Sequence, residues 1–468
     1  MSVDVLVVGA GPAGLSAAVE LRRLGVGSVL VADRETAAGG VPRHSWHTGY
    51  GLRDLRRVMT GPAYARALAG AAVAAGAELR LGTTVTGVAV GGTADSGAAG
   101  GAAAAGAALG DGSASVSMTS AEGVETVRAA AVLMATGCRE RPRAARLIPG
   151  DRPAGVMTTG ELQQRVYLGG ERLSGRALVI GAEHVSFSAA VTLAHAGARV
   201  VALVTEHERQ QSYAAFRLGA ALRWQIPVWT SARVQRVTGR GRLDGVEVAD
   251  VRTGVARFVP CDTVVFTGEW IPDHELARLA GLAMDPGTRG PAVDTMLETS
   301  AAGVFAAGNL VHAAETADIA ALSGRHAARH IAAMLGGGPP GAGSPGAGSP
   351  GAGARGAGLP VLVEPPLRWI SPNAITSPAA PPLGRFVLRS GEFRWPARLE
   401  VRQDGRLLHR SRPVRLVPGR PVHLGAGWLA RVDPAGGPVR VVTGSLPVRP
   451  PRPRVRAGRS LHAVSLPW

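Results

Sequence analysis

Residues 3–14, VDVLVVGAGPAG, constrain this chain more than any other stretch. Five of the six residues from Val3 to Val8 are apolar, the mark of a strand buried on both faces of a parallel sheet. Gly9, Gly11 and Gly14 then spell G-x-G-x-x-G, and residues 15–24 carry a helical pattern. Each glycine has its own task. Gly9 turns the chain out of the strand, Gly11 lets backbone approach a pyrophosphate, and Gly14 lets helix and sheet close together. The helix N-terminus offers free N–H groups to the phosphates. A second strand over residues 28–32 ends at Asp33, 19 residues beyond Gly14 and near the spacing of a ribose-binding carboxylate.

The same order of elements occurs twice. After the first unit come an Ala-rich helix at 64–75, a short strand at 78–80, a meander from 83 to 128 and a buried strand at 130–135. The second unit starts near Gly160. It has strands at 176–180 and 199–204 around a helix at 188–196, a helix at 213–223, a strand at 226–229, a meander over 233–259 and a strand at 262–267. Residues 303–307 and a helix over 316–335 read as a return to the first unit. An internal repeat of this kind predicts an α/β chain of two Rossmann-like dinucleotide-binding domains, the first interrupted by the second. The expected boundaries are 1–155 with 290–335 for the first domain and 156–289 for the second. Residues 336–358, containing GAGSPGAGSPGAG, form a linker, and 359–468 a small basic β-rich domain. Residues 91–114 read as a low-complexity mobile hairpin tip, and the last twenty residues as partly disordered.

Composition narrows the chemistry. The chain has no lysine, so its 51 basic residues are all Arg and a lysine Schiff base is excluded. Residues 359–468 hold 18 Arg against five Asp and Glu, which places +13 of the formal +17 there. The composition fits either a docking surface for an acidic partner or Arg-heavy coding alone; no nucleic-acid recognition motif accompanies it, so nucleic acid is not the expected partner. The two cysteines, Cys138 and Cys261, make no C-x-x-C, which excludes a redox disulfide of that type and a cysteine-rich iron–sulfur or zinc site; no metal is expected. No basic leader precedes the first strand and no apolar run approaches ~20 residues, so the cytoplasm is the default compartment.

Five ordered motifs carry a resemblance: GAGPAG at 9–14, Asp33, Gly39-Gly40, ATG at 135–137 and TSAAGVFAAGN at 299–309. Over about residues 3–335 the chain resembles flavoproteins of the glutathione-reductase-like class, with two dinucleotide-binding domains. Within that class, residues 39–65 resemble the accessory flavoprotein of anaerobic glycerol-3-phosphate dehydrogenases. More distantly, the chain is similar to the flavin subunits of opine oxidase and hydrogen cyanide synthase. The resemblance implies FAD, with Gly9, Gly11 and Gly14 at the pyrophosphate and Asp33 at the adenosine ribose. It implies Arg34 and Val85 beside adenine, Gly40 and Thr136-Gly137 along the cofactor, and Gly308 with Asn309 at the ribityl–phosphate region. A helix starting near Thr316 would aim its positive end at the flavin N1/O2 edge. The family carries Asp where this chain has Asn309, which keeps hydrogen bonding but loses charge. Residues 359–468 have no counterpart in the resemblance.

The second site departs from the pattern. Its turn reads Gly181-Ala182-Glu183-His184-Val185-Ser186, with Glu183 at the position of the glycine that admits a pyrophosphate. A carboxylate beside a dianion is unfavourable, so NAD(P)H is expected to bind weakly or not at all. Candidate acid/base residues are His44 and His47, with Tyr50 close by, and His312 after Asn309. Arg139, Arg141 and Arg143 are either a solvated turn or a seat for an anionic substrate. The expected function is an FAD-dependent dehydrogenase component, which takes hydride from a small amine or hydroxy substrate and passes electrons to a partner subunit or carrier. Two alternatives stay open: an NAD(P)H-dependent flavin reductase, and a flavin-containing docking subunit without catalysis. The sequence leaves the oligomeric state open.

Overall fold

The computed structural model describes residues 1–90, 113–213, 226–336 and 358–444. The sequence expectations for residues 91–112, 214–225, 337–357 and 445–468 lie outside the described residues.

The first strand, β1 (Ser2–Val8), sits in the middle of a seven-stranded sheet. It runs parallel to β2 (Val29–Asp33) on one side and to Gly123–Met134 on the other, which is why its side chains are apolar on both faces. Glu78–Leu81 extends the sheet beyond β2. Ala114–Ser120 and Thr84–Val90 complete it as an antiparallel meander. Residues 123–134 form one continuous twelve-residue strand where the sequence suggests two. Its first half pairs with Ala114–Ser120 and is largely exposed, on both faces over residues 123–126; its second half enters the core beside β1. Polarity therefore changes along a strand that does not break.

Helix α1 (Pro12–Arg23) begins three residues before the apolar pattern does. Pro12 occupies the first turn, where a missing N–H costs nothing. Leu15, Ala17, Ala18 and Leu21 are fully buried against the sheet and the closing helix Ala317–Met334. Each buried leucine stabilises the fold by about 1.5–3 kcal/mol. Strand Val304–Ala306 pairs in parallel with Val132–Met134, and this returns the chain to the first sheet after the second unit.

The second unit is a five-stranded parallel sheet, ordered Val156–Thr158, Thr263–Phe266, Arg176–Ile180, Arg199–Val204, Val228–Trp229. A three-stranded antiparallel meander, Ala232–Thr238, Gly245–Asp250 and Ala256–Pro260, accompanies it. The last described unit is all β. It comprises a six-stranded sheet, a three-stranded sheet and a core of their inward faces, centred on Trp428 and Phe386, whose rings stack at 5.0 Å. Its hairpin Arg394–Gln403/Arg406–Arg410 turns through Asp404 and Gly405, both at positive φ, as a two-residue Asp-Gly loop requires. Among the described residues, no helix is long and apolar enough to cross a membrane.

Candidate functional site

The first nucleotide turn is held open. Gly9 sits at φ +109, and a Cβ on it would come within 2.5 Å of the Ala135 carbonyl. A Cβ on Gly14 would stand 1.9 Å from the Gly9 carbonyl oxygen, so helix and turn approach to a distance only hydrogen allows. A Cβ on Gly11 would meet nothing within 4 Å. The space in front of Gly11, at the start of α1, is open, as the approach of a pyrophosphate to the helix N-terminus requires.

Asp33 ends β2 with its carboxylate folded toward this turn. The Ala10 N–H donates to Oδ2 at 2.6 Å and the Glu35 N–H to Oδ1 at 2.8 Å. Both oxygens keep lone pairs for a ribose diol. The Asp33 carbonyl accepts from the Thr83 N–H at 2.8 Å, which brings the start of Thr84–Val90, and half-buried Val85, beside the same edge. Gly40 lies against Gly11, the nearest atom to its added Cβ being the Gly11 Cα at 3.1 Å. The Thr136 hydroxyl donates to the Asp273 carbonyl (2.8 Å), and the Gly137 carbonyl accepts from the Asp273 N–H (2.9 Å). Asp273 also pairs with Arg34 (3.2 Å) and Arg139. The guanidinium read as covering adenine is thus joined to the segment that follows the second unit.

At the other end, Gly308 donates its N–H to Ser323 Oγ at 2.8 Å. Asn309 spends both ends of its amide on one residue: Oδ1 accepts from the Glu315 N–H (2.8 Å), and Nδ2 donates to the Glu315 carbonyl (3.2 Å). Thr316 caps the closing helix through its backbone geometry, and its hydroxyl donates to Asp318. Asp318 is buried in the first turn and paired with Arg53 at 3.0 Å.

The three histidines lie in separate surroundings. His44 is buried in the short turn Val41–His44, and burial lowers its pKa, so the ring is neutral at pH 7. Its Nδ1 has no hydrogen-bond partner among the described residues. His47 is exposed, stacks on Tyr50 at 5.1 Å and donates Nδ1–H to the Thr48 carbonyl at 2.9 Å. His312 packs on Trp369 of the C-terminal unit at 5.1 Å; burial and, secondarily, Arg389 bring its pKa down to about 3. The ring is therefore neutral at pH 7. Both His44 and His312 are thus neutral rings with an Nδ1 that has no hydrogen-bond partner among the described residues.

The second turn is closed by its own side chain. Glu183 precedes the helix His184–Ala196 and folds back over the turn. Its Oε2 accepts from the Ala182 N–H at 3.0 Å, and its Oε1 from the Thr267 hydroxyl at 2.5 Å. Added Cβ atoms on Gly181 and Gly268 would each meet a Glu183 carboxylate oxygen at 2.7 Å. The third glycine position of the motif holds Ser186, fully buried, with its hydroxyl 2.7 Å from that of Thr267. Arg146 supports this corner by donating to the Thr267 and Gly268 carbonyls at 2.9 and 3.0 Å. Thus a carboxylate lies across the second turn, bonded to its backbone and to Thr267. Ser186 is visible in the sequence; Thr267, 84 residues from Glu183, carries no local signal there.

The arginines after the ATG stretch are engaged within the protein. Arg139 pairs with Asp273 and Glu275, Arg141 with Glu269, and Arg143 with backbone carbonyls. These contacts hold the turn to the segment 269–275 and to its own carbonyls. Cys138 has its thiol pKa pushed up to about 12 by burial, with Glu140 and Asp273 adding to it. Cys138 is half-buried, and a thiol held protonated in this way is a poor redox nucleophile.

A model of the pyridine nucleotide-disulphide oxidoreductases matches residues 3–324. The chain belongs to that family. FAD is its cofactor, the open first turn and the Asp33 carboxylate fit that group, and the chain is an FAD-dependent oxidoreductase. It is 27% identical over 292 residues to the HcnB subunit of hydrogen cyanide synthase from Pseudomonas aeruginosa, covering 59% of this chain and 54% of that one. It is 27% identical over 352 residues to an opine oxidase subunit of Agrobacterium tumefaciens, covering 69% and 64%. The alpha subunit of sarcosine oxidase from a Corynebacterium is 32% identical over 221 residues, 47% of this chain and 21% of that one. The chain therefore spans less than two thirds of the length of each. In fold it is similar to the thioredoxin reductase of T. acidophilum, at TM-score 0.55 and 22% identity over 70% of this chain and 97% of that one. The bacillithiol disulfide reductase of Bacillus cereus is alike at TM-score 0.55 and 19% identity, over 71% and 99%. The family match ends before the C-terminal β unit begins.

Proposed function

We propose that this chain is the flavin-bearing component of a multi-subunit dehydrogenase whose electrons leave to a partner subunit or carrier rather than to NAD(P). The observation that supports this most directly is the Glu183 carboxylate lying across the second nucleotide turn. A pyrophosphate there would have to displace two hydrogen bonds and meet a like charge. FAD held at the first turn would supply two-electron hydride chemistry together with onward electron transfer in one- or two-electron steps. The protein's part is to hold the diphosphate at Gly9–Gly14, fix the ribose at Asp33 and keep His44 neutral as a proton acceptor. The relatives are by name subunits of a hydrogen cyanide synthase, an opine oxidase and a sarcosine oxidase. Opine and sarcosine in two of those names favour a small amine; the hydroxy alternative rests on the sequence resemblance read in residues 39–65 alone, which none of these relatives carries in its name. Both put the broken C–H bond beside a heteroatom.

The test is anaerobic mixing of the FAD-loaded chain with NADH or NADPH. The flavin absorbance is expected to persist, and Glu183→Gly is expected to bleach at least tenfold faster than the parent. Bleaching of the parent within seconds would overturn the reading and favour an NAD(P)H-dependent flavin reductase. That second reading draws on the retained five-stranded parallel sheet of the second unit. Against its disulfide-reducing form stand two free cysteines far apart in sequence.

A further inference from the structure

The C-terminal β unit lies outside the family match and outside every motif of the sequence, yet it touches the segment that leads into the closing helix. From strand Arg385–Ser390, Arg389 donates Nη2–H to the Ala314 carbonyl (2.7 Å) and to Glu315 Oε1 (2.9 Å). Both side chains of this ion pair are under a tenth exposed, at 7% and 8%. The guanidinium lies over the Trp369 ring at 5.3 Å, and Trp369 in turn packs on His312. Two further contacts tie the same unit to the first domain. Asn373 Oδ1 accepts from the Val293 N–H at 2.9 Å, and the Thr376 hydroxyl donates to Asp294.

The loop from Asn309 to Thr316 is therefore fixed at one residue from two sides. Asn309 holds the Glu315 backbone, and Arg389 holds the Glu315 carboxylate and the carbonyl before it. A carboxylate buried to this degree needs a cation to stay charged. Among the described residues the hydrogen-bonded cation is Arg389, which comes from the added unit. The next residue, Thr316, begins the helix whose N-terminus the FAD reading sets at the N1/O2 edge.

We propose that the C-terminal unit is a working part of the flavin site, and that Arg389 is a positioning residue which sets the Asn309–Thr316 loop against the flavin by holding Glu315. This rests on the FAD reading of the first turn. The unit serves the chain's own cofactor as well as any partner. A structural clasp alone would stabilise the domains without affecting the flavin.

The full-length protein tests this, with Arg389→Met, Arg389→Lys, Glu315→Gln and the double variant Arg389→Met/Glu315→Gln. Four quantities are read: FAD dissociation constant by fluorescence titration of stripped protein, flavin midpoint potential, visible fine structure, and Tm. Arg389→Met is expected to weaken FAD at least tenfold, blur the flavin spectrum and lower the potential, with Arg389→Lys recovering part of each. The double variant, which leaves no lone buried charge, is expected to regain Tm while FAD stays weak. Glu315→Gln, close in shape to the parent, carries the same test where Arg389→Met aggregates. FAD affinity, spectrum and potential all at parental values in the double variant and in Glu315→Gln, with only Tm altered, would overturn the proposal. A parent chain that takes up no FAD would fail the cofactor reading itself, a different result.

Discussion

Asp33 and Glu183 are both carboxylates at nucleotide turns, and their opposite consequences come from where each sits. Asp33 stands at the end of a strand, beside the turn, and leaves the cradle at Gly11 clear. Glu183 stands inside the turn and takes the backbone N–H and the hydroxyl that an anion would use. Glu140 adds a third case. It is buried, accepts from the Gly160 N–H at 2.7 Å, and has its pKa pushed up to about 7, first by burial. In the unfolded chain it loses its proton near the ordinary Glu value, so between roughly pH 4.5 and 7 the native state holds more protons and stability falls as pH rises. Glu140→Gln removes that loss. It is expected to raise stability at pH 8 by up to roughly 3 kcal/mol and to change it little at pH 4.5, as read by urea denaturation at the two pH values.

At the level of elements, the β1–turn–α1 unit is the part of the chain with least freedom. Its strand is apolar on both faces because it lies between two parallel neighbours. The 1.9 Å clearance at Gly14 means that any side chain must push α1 off the turn. Gly14→Val is therefore expected to cost more than the ~1–3 kcal/mol usual for overpacking and to leave a protein that does not retain FAD. Denaturant titration and the flavin absorbance of the purified variant check this. These local features were legible in the sequence because each is complete within about thirty residues. The continuous strand Gly123–Met134 was not, because its two halves face different neighbours and so read as separate pieces.

For the molecule as a whole, the C-terminal unit has a core of its own and reaches both nucleotide domains. Arg420 donates to the Gln211 and Ser212 carbonyls and lies over the Tyr213 ring at 4.3 Å, while Arg389 and Trp369 reach the first domain. Its core depends on Trp428, 1% exposed and stacked on Phe386. Trp428→Ala is expected to cost about 3–5 kcal/mol, and its loss should weaken FAD as well if the unit serves the flavin. Trp428→Phe keeps the ring contact and removes a buried indole N–H that has no partner among the described residues, so it should stay within about 1.5 kcal/mol of the parent. Thermal unfolding followed by tryptophan and by flavin fluorescence separates the two effects.

By itself the sequence determined the α/β class, the glycine-lined first turn, the Asp33 carboxylate beside it and the departure at Glu183. Each depends on residues close along the chain, where spacing dictates geometry. Only the tertiary structure decided that Thr267 closes the second turn with Glu183, that Trp369 covers His312, and that Arg389 pairs with Glu315. Those partners lie 57 to 84 residues apart in the numbering. Contacts at that range are set by how whole sheets pack, and a basic residue in an arginine-rich stretch carries no sign of which acid it will meet.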